Sequence, residues 1–175
     1  ALLMKSGECL DDILTQPGTI FLVTAIGLAA GSNHSIEIFV DAHAVSVLSH
    51  GLCSGLDPQA IAEELNHRAQ NIIAVRGNCD SEVDQMLLQF PIQSTYSMLV
   101  DNGIRFFLTH GHVYNEKHMP EGPSCDVFVY GHTHLQTLKE ANAETSTPVI
   151  LNTGSPTFPK GGNPPTFATD RKSVV

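Results

Sequence analysis

Gly131-His132-Thr133-His134 follows directly on the apolar stretch Val127-Phe128-Val129-Tyr130, and this junction constrains the fold more than any other segment. A short β-branched and aromatic run, bounded by Asp126 and by glycine, reads as a buried strand. Glycine lets the backbone turn sharply, and two imidazoles then leave the strand end two residues apart. On extended backbone, residues i and i+2 point to the same side. Both rings are therefore expected to face one cavity, as a metal centre requires. A His-x-His pair by itself is weak support, because most such pairs are surface or packed histidines.

Three further segments repeat the arrangement. Asn71 to Val75 leads through Arg76 into Gly77-Asn78-Cys79-Asp80, and Ile104 to Thr109 leads into His110-Gly111-His112. Pro148 to Leu151 opens into Asn152-Thr153-Gly154-Ser155. In open α/β structures, sites collect where strands give way to loops at their carboxyl ends. Chance explains one such junction easily and the set poorly.

Taken together, these blocks resemble the calcineurin-like metallophosphoesterases. That family's pattern runs Asp-x-His, Gly-Asp, Gly-Asn-His or Cys-Asp/Glu, a later His, and Gly-His-x-His. The last three blocks stand here in order. The cysteine variant and the stretch from Asn152 through Pro159-Lys160-Gly161-Gly162 look like the small bacterial phosphodiesterase branch, the likeness running from about Val47 to Phe167. The resemblance implies an α/β fold, a four-layer α-β-β-α sandwich. It also implies a phosphodiester hydrolase with a metal-activated hydroxide, acting on a small phosphodiester. In the family two ions sit about 3.5–4 Å apart. Carried over by motif, Asn78, His110 and His132 hold one ion, and His134 belongs to the other. Imidazole with amide oxygen suits divalent Mn first, with Ni, Fe, Co and Zn as alternatives, better than Ca.

The first third departs from the pattern. No Gly-Asp occurs anywhere in the chain. Val47 to Gly51 looks like the loop that follows that block, which puts Val45-Ser46 in its place. Asp41-Ala42-His43 follows an apolar run and mimics Asp-x-His, yet it stands only 78 − 41 = 37 residues before Asn78. Asp41 and His43 are therefore the less secure ligands, with an ordinary strand-end loop as the other reading. One half-site is intact and the other nearly bare, so one ion is a further possibility. Segments 1–44 and 170–175 are expected to depart from a family member through truncation or frameshift, the last six residues reading like translated adapter DNA. The competing function is an inactive scaffold of the same fold, as in a retromer subunit. A cysteine-nucleophile hydrolase is more distant, because the sequence fixes no base beside Cys79.

Charge narrows the partners. A net charge of −9 argues against a broad nucleic-acid or anionic-membrane surface, so any phosphate must meet local positive charge. No lysine or arginine stands between Lys5 and Arg68. Thr19 to Ala30 is apolar, but acidic residues precede it, unlike a signal peptide. It is also shorter than the roughly 20 residues of a membrane span. The 4 cysteines are scattered without a CxxC pair, which favours a reducing, cytoplasmic setting. The length, 175 residues, suits one domain. Oligomeric state is not legible.

Local signals place the motifs. A helix is expected from Asp57-Pro58 to about Ala69, with Ile61 and Leu65 on one face. Another is expected from Ser81 to Phe90, stopped by Pro91. Asn102-Gly103 marks a hairpin between strands 96–100 and 104–109. Further strands are expected from Asn71, at 126–130 and at 148–152. Cys79 replaces a histidine, and a thiol with an ordinary pKa of about 8.5 is a poor substitute for an imidazolium proton donor. Diesters with good leaving groups are then favoured. Cys79 reads equally as a small packing residue. Asp80 is expected to cap the helix or orient a ligand. His112 faces substrate, supports a ligand, or is an ordinary loop histidine. Arg76 reads as a structural ion pair before a substrate contact, and Lys160 as a solvated charge. His34, His50, His67 and His118 belong to no constellation.

Overall fold

The computed structural model describes residues 2–6, 26–27, 35–38, 62–63, 65–67, 69–101, 103–122, 124–155 and 159–171. Strand β5 (Tyr96–Asp101) and strand β6 (Ile104–Thr109) form the expected hairpin. Asp101 pairs with Ile104 across a two-residue turn in which Gly103 takes φ 82°, a left-handed value that glycine adopts without a Cβ penalty. Strands β7 (Val127–Tyr130) and β9 (Val149–Thr153) run parallel to β6. Strand β8 (Gln136–Lys139) returns antiparallel beside β9, giving the order β5-β6-β7-β9-β8. The three parallel strands are the apolar runs of the sequence, and their central residues are buried on both faces, as parallel sheets demand.

Alternation sorts these side chains into two cores. Phe106, Leu108, Val127, Val129 and Leu151 join Ala62, Leu65, Val75, Leu88, Phe90, Phe167 and Ala168 in the larger one. Phe107, Phe128, Tyr130 and Ile150 form the other, with Tyr114 and Met119 packed on it from the loop after β6. Phe107 stacks between Tyr96 (4.8 Å) and Phe128 (5.2 Å), within the range where offset aromatic pairs attract.

Opposite the larger core lie two smaller sheets. Strands β1 (Leu2–Ser6), β3 (Ser35–Ile38) and β10 (Thr166–Arg171) pair antiparallel in the order β1-β10-β3. Strand β2 (Ile26–Gly27) pairs with β4 (Ile73–Ala74). Because Phe167, Ala168 and Ala74 share a core with the inner face of the large sheet, the sheets pack face to face and helical residues close the layer. The architecture is the expected α/β sandwich.

Several boundaries differ from expectation. Strands β8 and β10 have no apolar run to announce them; β8 is a largely exposed edge, and β10 carries Asp170 and Arg171 into register with its neighbours. Asp57, Pro58 and Ile61 lie outside the described residues, whereas 62–63 and 65–66 are helical. A 3-10 turn at Ala69–Asn71 delays strand β4 to Ile73. Helix α1 spans only Glu82–Leu87. Ser81, not Asp80, caps it, through a reciprocal box in which Ser81 Oγ accepts from the Asp84 N–H and the Asp84 carboxylate accepts from the Ser81 N–H. It ends early because side chains replace backbone partners. Asn66 bonds Leu87 O (2.8 Å) and Gln89 N (2.7 Å), while Gln85 bonds Phe90 O (3.1 Å) and Ile92 N (2.8 Å). No helix among the described residues is long and apolar enough to cross a membrane.

Candidate metal centre

Strand β4 delivers the turn Gly77-Asn78-Cys79-Asp80 from one sheet. Asp80 is buried, and its Oδ2 accepts the Gly77 N–H at 2.6 Å, closing the turn. Asn78 Nδ2 donates to Cys79 Sγ at 3.1 Å, which leaves Oδ1 facing away from the thiol. Arg76 is engaged by Glu82 (3.1 Å) and by the Asp80 carbonyl (3.1 Å), so the ion-pair reading of that residue describes its contacts.

Strands β6 and β7 deliver the histidines from the other sheet. The Gly131 N–H donates to His110 O at 2.9 Å, carrying the parallel ladder one step past the strands. Gly111 takes φ 116°, and a Cβ there would stand 2.9 Å from Gly131 O and 3.0 Å from the His132 Cβ. Only glycine allows this approach. Here the extended-backbone expectation fails. β7 ends at Tyr130, and His132 and His134 take φ 65° and 62°. The Thr133 N–H reaches back to Gly131 O at 2.7 Å, an i to i+2 bond about a positive-φ residue, the rarer and strained form of γ-turn. Consequently His132 is exposed and His134 buried.

Three side-chain atoms converge at the seam. Asn78 Oδ1 lies 2.8 Å from His110 Nε2 and 3.1 Å from His132 Nδ1, and the two nitrogens are 3.1 Å apart. Protons alone cannot satisfy all three sides. The amide oxygen never donates, and a neutral imidazole carries one N–H; if both rings donate to the oxygen, neither of these nitrogens keeps a lone pair to accept from the other. A cation can take a lone pair from each atom. Adjacent ligands of a six-coordinate ion with bonds of about 2.1 Å stand about 3 Å apart, the spacing found here. The donor set fits a divalent transition ion. Among the described residues no group of three His, Cys, Asp or Glu converges; the amide supplies the third donor.

The surroundings favour neutral rings. The protein packed about the His132 ring lowers its pKa, helped by the charges of His112, His134 and Lys160. Burial likewise lowers that of His112, whose ring lies 5.2 Å from His110 and 6.2 Å from His132. Cys79 is half-buried beside Asn78. Asp41 and His43 lie outside the described residues.

Sequence reasoning missed the bracing of the His132 loop. Asn152, buried in β9 beside Tyr130, bonds Gly131 O (3.1 Å) and Thr133 Oγ1 (2.9 Å). The only signal was its place at the end of the fourth strand segment.

Sheet order, strand-end loops and the amide–imidazole cluster together define a class. The chain belongs to the calcineurin-like phosphoesterase superfamily, whose domain model matches residues 32–171. Phosphodiesterase YfcE of Escherichia coli strain K12 is 46% identical over 125 residues, a match covering 69% of this chain and 66% of that protein. The chain thus spans just under two thirds of that relative. Phosphodiesterase MJ0936 of Methanocaldococcus jannaschii is 29% identical over 116 residues, covering 62% of this chain and 68% of that one. The solved structure of YfcE, described as a phosphoesterase from E. coli, matches with a TM-score of 0.62 at 33% identity over 86% of each chain. Within that superfamily the chain is similar to small phosphodiesterases such as YfcE.

Proposed function

We propose that this protein is a divalent-metal-dependent phosphodiester hydrolase acting on small phosphodiesters. The observation that carries the reading is the triangle of Asn78 Oδ1, His110 Nε2 and His132 Nδ1. Similarity to two phosphodiesterases supports the reaction class. These three residues would hold the ion, Mn first and Ni, Fe, Co or Zn as alternatives. Bound metal supplies charge to offset the phosphoryl oxygens and acidifies water for attack on phosphorus. His134, with Asp41 and His43, would form the second half-site; without that pair the chain takes one ion and its activity is impaired.

The chain's own residues divide the remaining work. Lowered pKa values at His132 and His112 keep their rings neutral near pH 7, so His132 offers a lone pair rather than a proton. Lys160 supplies a positive charge that acts on His132, which draws an anionic diester toward a molecule of net charge −9. Cys79 stands where a protonated imidazole would assist the leaving group, so diesters of acidic alcohols are favoured. Free Cys79 and Cys125 suit a reducing, cytoplasmic setting.

The test combines metal stoichiometry with hydrolysis of bis(p-nitrophenyl) phosphate by the full chain, with Mn added and after chelation. The reading expects at least one bound ion and activity that chelator removes. No bound ion together with no turnover at any metal would overturn it.

A further inference from the structure

The geometry points to Asn152 as a positioning residue for metal ligation, resting on the metal-centre reading above. It never touches the ion; it fixes the strained turn that presents His132. Asn152 is fully buried, and its Nδ2 donates to two points of one loop, Gly131 O (3.1 Å) and Thr133 Oγ1 (2.9 Å), while the amide also acts on the Tyr130 phenol. Its Oδ1 accepts the Gly154 N–H at 3.0 Å, which settles the orientation of the amide. Thr133 Oγ1 in turn accepts the Leu135 N–H at 3.2 Å. A fixed carboxamide therefore clasps the residues on either side of His132, and the clasp continues to the residue after His134.

That arrangement answers a physical need. A non-glycine residue at positive φ is strained, because its Cβ crowds the following carbonyl oxygen, and two such residues, His132 and His134, stand two apart. The strain persists only if the surroundings over-determine it. Gly131 O receives Thr133 N at 2.7 Å and Asn152 Nδ2, so both lone pairs are occupied and the turn is locked. Parallel pairing of Tyr130 with Asn152 places the clasp beside the point where β7 ends. Released from it, the loop relaxes toward extended backbone and His132 Nδ1 leaves the 3.1 Å contacts with Asn78 and His110.

Mn affinity of the full chain, read by titration calorimetry alongside thermal melts of the metal-free protein, decides the matter. Asn152→Asp keeps the shape and the Gly154 contact but loses both donors. Thr133→Val removes the hydroxyl from an exposed residue, and Thr133→Ser restores it. Groups that orient ligands are worth about 10–100-fold in metal affinity. Thr133→Val is expected to weaken Mn at least about tenfold with little change in melting temperature, and Thr133→Ser to return it to within about twofold. Should Asn152→Asp fail to fold, the Thr133 pair carries the test alone. Native affinity in Thr133→Val would overturn the positioning role while leaving the metal centre standing. An unmodified chain that binds no Mn would overturn both.

Discussion

His132 can meet His110 only because Gly111 lacks a side chain: a Cβ at Gly111 would stand 3.0 Å from the Cβ of His132 and 2.9 Å from the Gly131 carbonyl oxygen. Gly111 also holds φ 116°, where an L side chain is strained whatever the space.

Gly111→Ala should therefore strike twice. Backbone strain of about 1–3 kcal/mol is expected, and the crowded loop must move the His132 ring away from His110. A lower melting temperature combined with weaker Mn binding, measured on the same preparation, is the expected pair of results. Unchanged values for both would refute the close-approach argument.

Cys79 lets a structural role be separated from a chemical one. Its sulfur accepts the Asn78 Nδ2–H and so turns Oδ1 toward the histidines. Cys79→Ala should weaken Mn binding roughly fivefold, the equivalent of one net hydrogen bond of about 1 kcal/mol. Cys79→Ser keeps an acceptor and should bind near the native level. If Cys79→Ser binds Mn normally yet hydrolyses the diester poorly, the thiol acts in the reaction as well.

Acid stability should depend on Asp126. Its carboxylate takes the Arg105 side chain at 2.9 and 3.0 Å and the Arg105 N–H at 2.8 Å, tying the starts of β6 and β7 together. These bonds hold its pKa down to about 2, from 3.8 in the unfolded chain. The folded value is the lower one, so the contribution is complete above 3.8 and is lost as pH falls toward 2. Melts between pH 2 and 5 should show a steeper decline for the native chain than for Asp126→Asn. Parallel curves would count against this assignment.

Helix α1 sits directly after the Asn78 turn, and its cap is a serine. Ser81→Ala removes one half of the capping box and should cost about 1 kcal/mol. For a domain of this size that is a fall of about 2–4 °C in melting temperature by calorimetry. Loss of Mn binding beyond that change would show that the cap also steadies Asn78.

Much of the frame was legible because its signals are local. Four apolar runs became β6, β7, β9 and the two-residue β4, and Asn102-Gly103 marked the hairpin. Strands β8 and β10 were not legible, because an exposed edge strand needs no apolar pattern and β10 is defined by its partners. The end of α1 was hidden too, since the side chain of Asn66, remote in sequence, takes the Leu87 carbonyl, and that of Gln85, within the helix, holds Phe90 and Ile92 just beyond it. At the site, residue identities were readable and conformations were not: His132 and His134 lie on a left-handed turn rather than an extended strand.

The order of residues alone determined that strand ends would carry an amide and imidazoles, because strand periodicity, glycine breaks and ligand chemistry are written in neighbouring positions. Tertiary structure alone decided that Asn78 from one sheet meets His110 and His132 from another at about 3 Å. Such convergence depends on sheet packing, on the missing Cβ of Gly111 and on the amide of Asn152. These relations act across the fold, and spacing along the chain does not encode them.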